Sequence, residues 1–139
     1  MSDLYLVDTS AWHRADHRAI AVDWRRRLSL DELAVCGQVR LEVLYSALNA
    51  PGYDRISEAL DGVRNIPTGD AAFQRALDVQ RTLAHLAGLH HRSVKIADLL
   101  IAASAELAGA VVWHYDEDFD RVAAVTGQRT QWIAPRGSL

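Results

Sequence analysis

The stretch Leu4-Tyr5-Leu6-Val7-Asp8-Thr9-Ser10-Ala11-Trp12 decides the fold. Leu4 to Val7 form a short β-prone apolar run bounded by polar residues, which reads as a buried strand. Asp8 ends the run, and Thr9 and Ser10 offer hydroxyls at a helix start. A buried strand that passes directly into a helix is the repeating unit of a parallel α/β protein. In such a sheet, chemistry collects beyond the carboxyl ends of the strands. Asp8 stands at that end.

The same alternation continues along the chain. Residues Ala11 to Leu30 carry Trp12, Ile20, Trp24 and Leu28 among arginines, and read as a short helix and then a longer amphipathic one. Leu33 to Cys36 (LAVC) reads as a second strand. From Gln38, Val39, Val43, Leu44, Ala47 and Leu48 recur at helical spacing, and Pro51-Gly52 is expected to break that helix. Tyr53 to Leu60 reads as another short helix, and a third strand is expected around Asn65 and Ile66. Thr68 or Asp70 is expected to cap a long helix running through Ala87. Ser93 or Val94 then starts the helix that contains KIADLLIAASAELA and ends at Gly109. Ala110 to Trp113 (AVVW) reads as the fourth strand, Phe119 to Val125 as a helix ended by Gly127, and Thr130 to Ile133 as the last strand. The expected class is α/β with a mostly parallel sheet. Asp116, in HYDEDFD, lies just past the fourth strand and so joins Asp8 at the carboxyl edge.

The 139 residues are 50% apolar and 24% charged, which suits one globular domain. A single cysteine, Cys36, excludes a disulfide scaffold and reads as a buried, inert thiol. The formal charge of −3 is not the basic footprint of a simple nucleic-acid binder. It leaves room for a nucleic-acid enzyme, because local charge matters more than the sum. No apolar run is long enough to span a membrane. MSDLYLVD lacks the basic segment and cleavage site of a secretory signal, so a cytoplasmic location is expected. Lys95 is the only lysine.

Most acids, such as Asp54, Glu58, Asp61, Asp70, Asp78 and Glu106, read as solvated helix or turn residues. Asp8 in LYLVDTSAW, Glu42 in VRLEVLYSAL and Asp98 in IADLLIAASA have apolar neighbours. A carboxylate carried into such surroundings must pair, hold a cation or become neutral. For Glu42 and Asp98 there is also a plainer account, an acid favoured by the helix dipole in a first turn. Arg40 and Lys95, at spacings of two and three from these acids, are possible local partners. In HYDEDFD, Asp116 is nearest the strand end and is the preferred fourth acid, with Asp118 in reserve. There too the plainer account is that Asp118 or Glu117 caps the next helix. Four oxygen-donor acids without a cysteine or histidine cluster suit Mg²⁺ or Mn²⁺ and not structural zinc. A divalent cation relieves their repulsion, activates water and stabilises charge on a reacting phosphoryl group.

LVDTSA with Asp8, RLEVLYSAL with Glu42, KIADLLIAASA with Asp98 and HYDEDFD with Asp116 resemble the four acidic motifs of PIN-domain ribonucleases. Their order and the chain length resemble the VapC toxins of bacterial VapBC toxin–antitoxin systems. The likeness covers nearly the whole chain, and it is the set of four motifs that is specific. It implies a single PIN domain over residues 1–139, a three-layer α/β/α sandwich with strand order 3-2-1-4-5. It implies a Mg²⁺- or Mn²⁺-dependent endoribonuclease acting on structured RNA such as tRNA or rRNA, and a homodimer neutralised by a cognate VapB antitoxin. Asp8, Asp98 and Asp116 would hold the metal, directly or through water. Glu42 would complete the cluster and orient the attacking water, leaving a 5′-phosphate and a 3′-hydroxyl. Thr9 or Ser10 would hydrogen-bond a carboxylate or a water, or simply cap the helix.

Arg92 and Lys95, within one turn of Asp98, are the candidate RNA-phosphate contacts. Arg25-Arg26-Arg27 reads either as a phosphate guide or as a solvated helix face. His90, His91 and His114 lack zinc-motif spacing and read as surface or supporting residues. Trp113 and Trp132 read as core. Trp12 and Trp24, on early helices, are expected to line a dimer or antitoxin surface.

Two rival classes, an enzyme of phosphatase or receiver type and a non-enzymatic module, differ in their expectations. A dehalogenase-type phosphatase needs D-x-D-x-T after the first strand, and Asp8-Thr9-Ser10 lacks the second acid. A receiver domain needs a lysine after a late strand, and Lys95 instead starts a helix. A non-catalytic module whose acidic pocket binds an arginine-bearing protein would show no metal-dependent RNA cleavage.

Overall fold

The computed structural model describes residues 3–86, 88 and 90–139. Its centre is a five-stranded, wholly parallel sheet in the order β3-β2-β1-β4-β5. The strands are β1 (Tyr5–Val7), β2 (Leu33–Cys36), β3 (Arg64–Ile66), β4 (Val111–His114) and β5 (Thr130–Trp132). The helices are α1 (Thr9–Trp12), α2 (Ala21–Ser29), α3 (Gly37–Tyr45), α4 (Ala50–Asp61), α5 (Asp70–Ala84), α6 (Ile96–Ala108) and α7 (Asp118–Thr126). The chain order therefore reverses between β1 and β4, and the crevice at the carboxyl ends of these two strands is the topological switch point.

Period-two side chains explain the layers. Leu6, Ala34 and Val112 face a large core built with α3, α5, α6 and α7. Val7, Leu33 and Trp113 face a smaller core closed by Ala11 of α1, Ile20 just before α2, Trp24 of α2, and the C-terminal residues Ile133, Ala134 and Leu139. The result is the expected α/β/α sandwich. Helix α6 is apolar nearly all round, and every residue from Asp98 to Ala105 is buried. A helix of that composition belongs inside a core. It ends at Gly109, whose φ of 68° is the left-handed cap that glycine adopts without strain.

Several expected boundaries move. Pro51 and Gly52 do not break a helix but lie in the first turn of α4, where proline needs no N–H partner. Asn49 caps that turn by accepting from the Gly52 N–H at 2.8 Å. Neither Thr68 nor Asp70 caps α5. Gly69 holds the cap position without a side-chain bond, Asp70 is the first helical residue, and Thr68 Oγ1 instead meets Ser104 Oγ at 2.8 Å. The helix ends at Ala84, and Ala87 lies outside the described residues. A 3-10 turn at His90–Ser93 precedes α6, which starts later than expected, at Ile96.

Of the two tryptophans on the early helices, Trp24 overturns its expected role and Trp12 stays partly exposed. Trp24 is buried and stacks on Trp113 with ring centroids 5.6 Å apart, and Trp12 meets Trp24 edge to face at 5.6 Å. The smaller core needs this aromatic volume, so Trp24 is not free to form a surface. Trp132 is only half-buried, its Nε1 donating to the Asp120 carboxylate. Trp113 and Cys36 are buried as expected.

Candidate active site

Asp8 is the N-cap of α1 because β1 ends one residue before it. Its carboxylate accepts from the backbone N–H groups of Ser10 (3.3 Å) and Ala11 (3.1 Å) and from Ser10 Oγ (2.8 and 2.9 Å). Ser10 Oγ in turn accepts from the Tyr115 N–H at 2.9 Å, tying the end of β1 to the end of β4. Burial pushes the Asp8 carboxyl up to about 6 against these hydrogen bonds, and the Asp116 charge adds to the rise.

Asp98 lies in the first turn of α6, and Asp116 and Asp118 follow β4. One carboxylate oxygen from each of the three lies within 4.8 Å of the other two. Sequence reasoning put Asp116 first and held Asp118 in reserve, whereas the fold brings in both. Asp116 Oδ1 accepts from the Asp118 N–H at 2.9 Å, and Glu117, in the cap position of α7, makes no side-chain cap. Burial pushes Asp98 up to about 8, helped by a hydrogen bond to Asp118 and by the Asp116 and Asp8 charges, while Lys95 opposes the rise. Burial would also raise Asp118, but the hydrogen bonds from Asp98 and Lys95 bring it below the ordinary carboxylate range. Contact between the two acids thus pushes Asp98 up and Asp118 down.

Lys95 crosses the cluster. Its Nζ lies 2.6 Å from Asp116 Oδ2, 3.1 Å from Asp118 Oδ2 and 3.4 Å from Asp98 Oδ2. Its backbone N–H donates to Asp118 Oδ2 at 3.1 Å. The spacing of three to Asp98 was visible in the sequence, but the contacts to Asp116 and Asp118 span more than twenty residues and were not. Arg121 was overlooked, although its spacing of three from Asp118 is a helical one. It donates to Asp118 Oδ1 at 2.9 Å and pairs with Glu117 at 2.8 Å. His114 is not a surface residue but wholly buried, between Phe119 and Trp132. Its Nδ1 accepts from the Asp116 N–H at 3.1 Å, a supporting role, and burial lowers its pKa to about 4.

The remaining candidates are not among the three acids gathered here. Glu42, one turn into α3, borders a depression with Thr9, Leu41 and Tyr45. Glu42 Oε1 and Thr9 Oγ1 are both buried without a hydrogen-bond partner. Ser10, not Thr9, is therefore the hydroxyl that holds Asp8. Arg40 pairs with Asp61 at 2.6 Å and not with Glu42. Arg92 is exposed on the 3-10 turn, and among the described residues no ion pair joins it to the cluster.

The donor set fits a hard divalent cation. Asp98, Asp116 and Asp118 offer carboxylate oxygens only, Asp8 adds charge beside them, and a cationic side chain already bridges the three. The histidine nearest the cluster has its Nδ1 committed to a backbone N–H.

This electrostatic arrangement predicts how stability varies with pH. Asp8 near 6 and Asp98 near 8 both lie above the unfolded value of 3.8. Their protons therefore favour the fold below about pH 4, and that contribution is lost as pH rises through 6 and 8. For Asp8 alone the loss is about 3 kcal/mol. Lowered Asp118 acts in the opposite sense only in acid, outside this window, whereas lowered His114 opposes the fall between about pH 4 and 6.5, so the loss runs unopposed from about pH 6.5 to 8. Calorimetry of chelator-treated protein is expected to show a Tm that falls from pH 5 to pH 8.5. Saturating Mg²⁺ should remove most of the fall. A Tm independent of both pH and Mg²⁺ would contradict the burial of these charges.

Comparison with known proteins follows the same lines. The PIN domain family model matches residues 5–125. The chain is 60% identical to Ribonuclease VapC18 of Mycobacterium tuberculosis over 136 residues, covering 98% of this chain and 99% of that one. The fold is similar to a chain of the DNA-bound VapBC crystal structure from Salmonella typhimurium, with a TM-score of 0.74 at 17% identity, over 96% of this chain and 100% of that chain. It is also similar to a chain of a toxin–antitoxin complex from Klebsiella pneumoniae, with a TM-score of 0.69 at 18% identity, over 94% and 98%.

Proposed function

Because the chain belongs to the PIN-domain family and is a relative of the VapC ribonucleases, we propose that it is the toxin of a type II toxin–antitoxin pair, an endoribonuclease dependent on Mg²⁺ or Mn²⁺. The observation that carries this reading is the gathering of Asp98, Asp116 and Asp118 at the switch point, with Asp8 beside them. Asp8, Asp98, Asp116 and Asp118 would hold the cation. The cation, when bound, supplies an activated water and neutralises charge on the phosphoryl group.

The chain's own residues have separate tasks. Ser10 fixes the Asp8 carboxylate and couples it to the loop after β4. His114 holds the backbone of Asp116, and Arg121 fixes the far oxygen of Asp118. Glu42, whose buried Oε1 lacks a partner, would accept a proton or hydrogen bond from the attacking water. Arg92 and Lys95 lie on the approach to α6 and suit the RNA backbone. The single domain, the homodimer, a VapB-type antitoxin, a structured RNA substrate of the tRNA or rRNA class and a cytoplasmic location belong to the same proposal. No helix among the described residues is long and apolar enough to cross a membrane.

Total RNA incubated with the purified chain and Mg²⁺ is expected to yield discrete fragments bearing 5′-phosphates. Chelator should stop their appearance and added Mn²⁺ restore it. Cleavage that persists in chelator, or fragments with 2′,3′-cyclic ends, would exclude the metal-assisted reading. A chain that bound its partner but cleaved nothing would be the arginine-binding module instead.

A further inference from the structure

Lys95 occupies the place where a cation is needed. Its ammonium contacts the Oδ2 atoms of Asp98, Asp116 and Asp118, and these are the acids whose oxygens cluster most tightly. The Lys95 side chain is 65% exposed, and the side-chain hydrogen bonds it makes among the described residues all go to these carboxylates. Its backbone is fixed separately, by the Lys95 N–H to Asp118 Oδ2 and by the carbonyl that accepts the first N–H groups of α6. The side chain can therefore leave without disturbing the helix start.

We propose that Lys95 is a resident counter-ion of this site, which holds the carboxylates together before the divalent cation arrives and is displaced by it. The inference rests on the metal-dependent reading above. Its physical basis is competition for the same atoms. Three carboxylates converge here in largely buried surroundings, and without a positive charge their repulsion would spread them apart. A monovalent ammonium gathers them at hydrogen-bond distance. A divalent ion held by these carboxylates would neutralise more of their charge than the ammonium does and so would weaken their hold on Nζ. The exchange releases one positive charge to the mouth of the site as two enter it. Arg121 does not compete in this way, because it takes the opposite oxygen of Asp118, Oδ1, and a second carboxylate outside the cluster, Glu117.

The chain offers a clean test, since Lys95 is its only lysine. Protein labelled with ¹³C at the lysine Cε gives one side-chain signal. Without metal, the two Cε protons sit in unequal surroundings and should be resolved. Mg²⁺ should collapse them to the averaged position of a free chain. In parallel, Lys95→Met should bind Mn²⁺ about tenfold more tightly by calorimetry, because the competitor is gone. Arg92→Gln, a charge removed from the same approach but not from the cluster, should change the affinity less than twofold. A lysine signal unmoved by saturating Mg²⁺ would overturn the proposal, as would a Lys95→Met protein that binds Mn²⁺ no more tightly than the parent. Either result, with the parent still binding Mn²⁺, leaves the metal-dependent reading intact. Failure of both proteins to bind any Mn²⁺ would overturn both.

Discussion

Asp98→Asn is expected to lower RNA cleavage by about 10²–10³-fold or more, the scale seen when one preorganised charge-stabilising group is removed from a reaction centre. The change keeps the size of the side chain and its place in the first turn of α6, so the helix and sheet should be unaffected. What it removes is a charge needed to hold a divalent ion beside Asp116 and Asp118. The same substitution should stabilise the metal-free protein above pH 8, because the buried carboxyl there must otherwise ionise beside Asp116 and Asp8. Activity and stability thus move in opposite directions, which a merely damaged protein cannot do. Asp8→Asn should behave alike, since the amide oxygen can still cap α1. The measurement is cleavage of total RNA by each variant with Mg²⁺, alongside thermal unfolding in chelator. Undiminished cleavage by either variant would assign the activity to another site.

The parts of the fold that the sequence displayed were those set by local pattern. LYLV and LAVC are short apolar runs, and both are strands within one residue of the expected limits. Asp8 was legible as a candidate site residue because it stands one step past a buried strand at the carboxyl edge of a parallel sheet, although the same position also makes it the cap of α1. Gly109 and Gly127 marked helix ends, and both adopt positive φ there. Less was legible where a residue permits two local roles. Pro51 breaks a helix interior but suits a first turn, and only the Asn49 cap decides between them. Least legible were contacts between remote segments. Asp118 reads locally as a cap, yet Lys95, 23 residues earlier, supplies its backbone and side-chain partners. Trp24 stands among arginines and reads as a surface residue until Trp113 provides the ring it covers.

Trp113→Ala is expected to destabilise the fold by about 3–5 kcal/mol, the range for emptying a buried aromatic site. Trp113 is 1% exposed, lies in β4 beside the central strand β1, and meets Trp24, Tyr5 and the Arg27 guanidinium around its ring. Its backbone carbonyl accepts the Asp8 N–H at 3.1 Å, so the cavity would open directly beneath the acidic cluster. Its Nε1 is buried without a partner. Trp113→Phe should therefore cost far less than the alanine change, because it keeps much of the ring volume and removes an unsatisfied donor. Trp24→Ala should destabilise the isolated chain on a similar scale, since its ring closes the same core from the helix side. Arg25→Ala, on the exposed part of α2, should stay within about 0.5 kcal/mol. Urea unfolding followed by far-ultraviolet circular dichroism gives all four values, with the midpoint shifting and the slope preserved. If Trp24→Ala unfolded at the parent's midpoint and lost only its association with a protein partner, Trp24 would belong to an interface and the smaller core would be closed by something else.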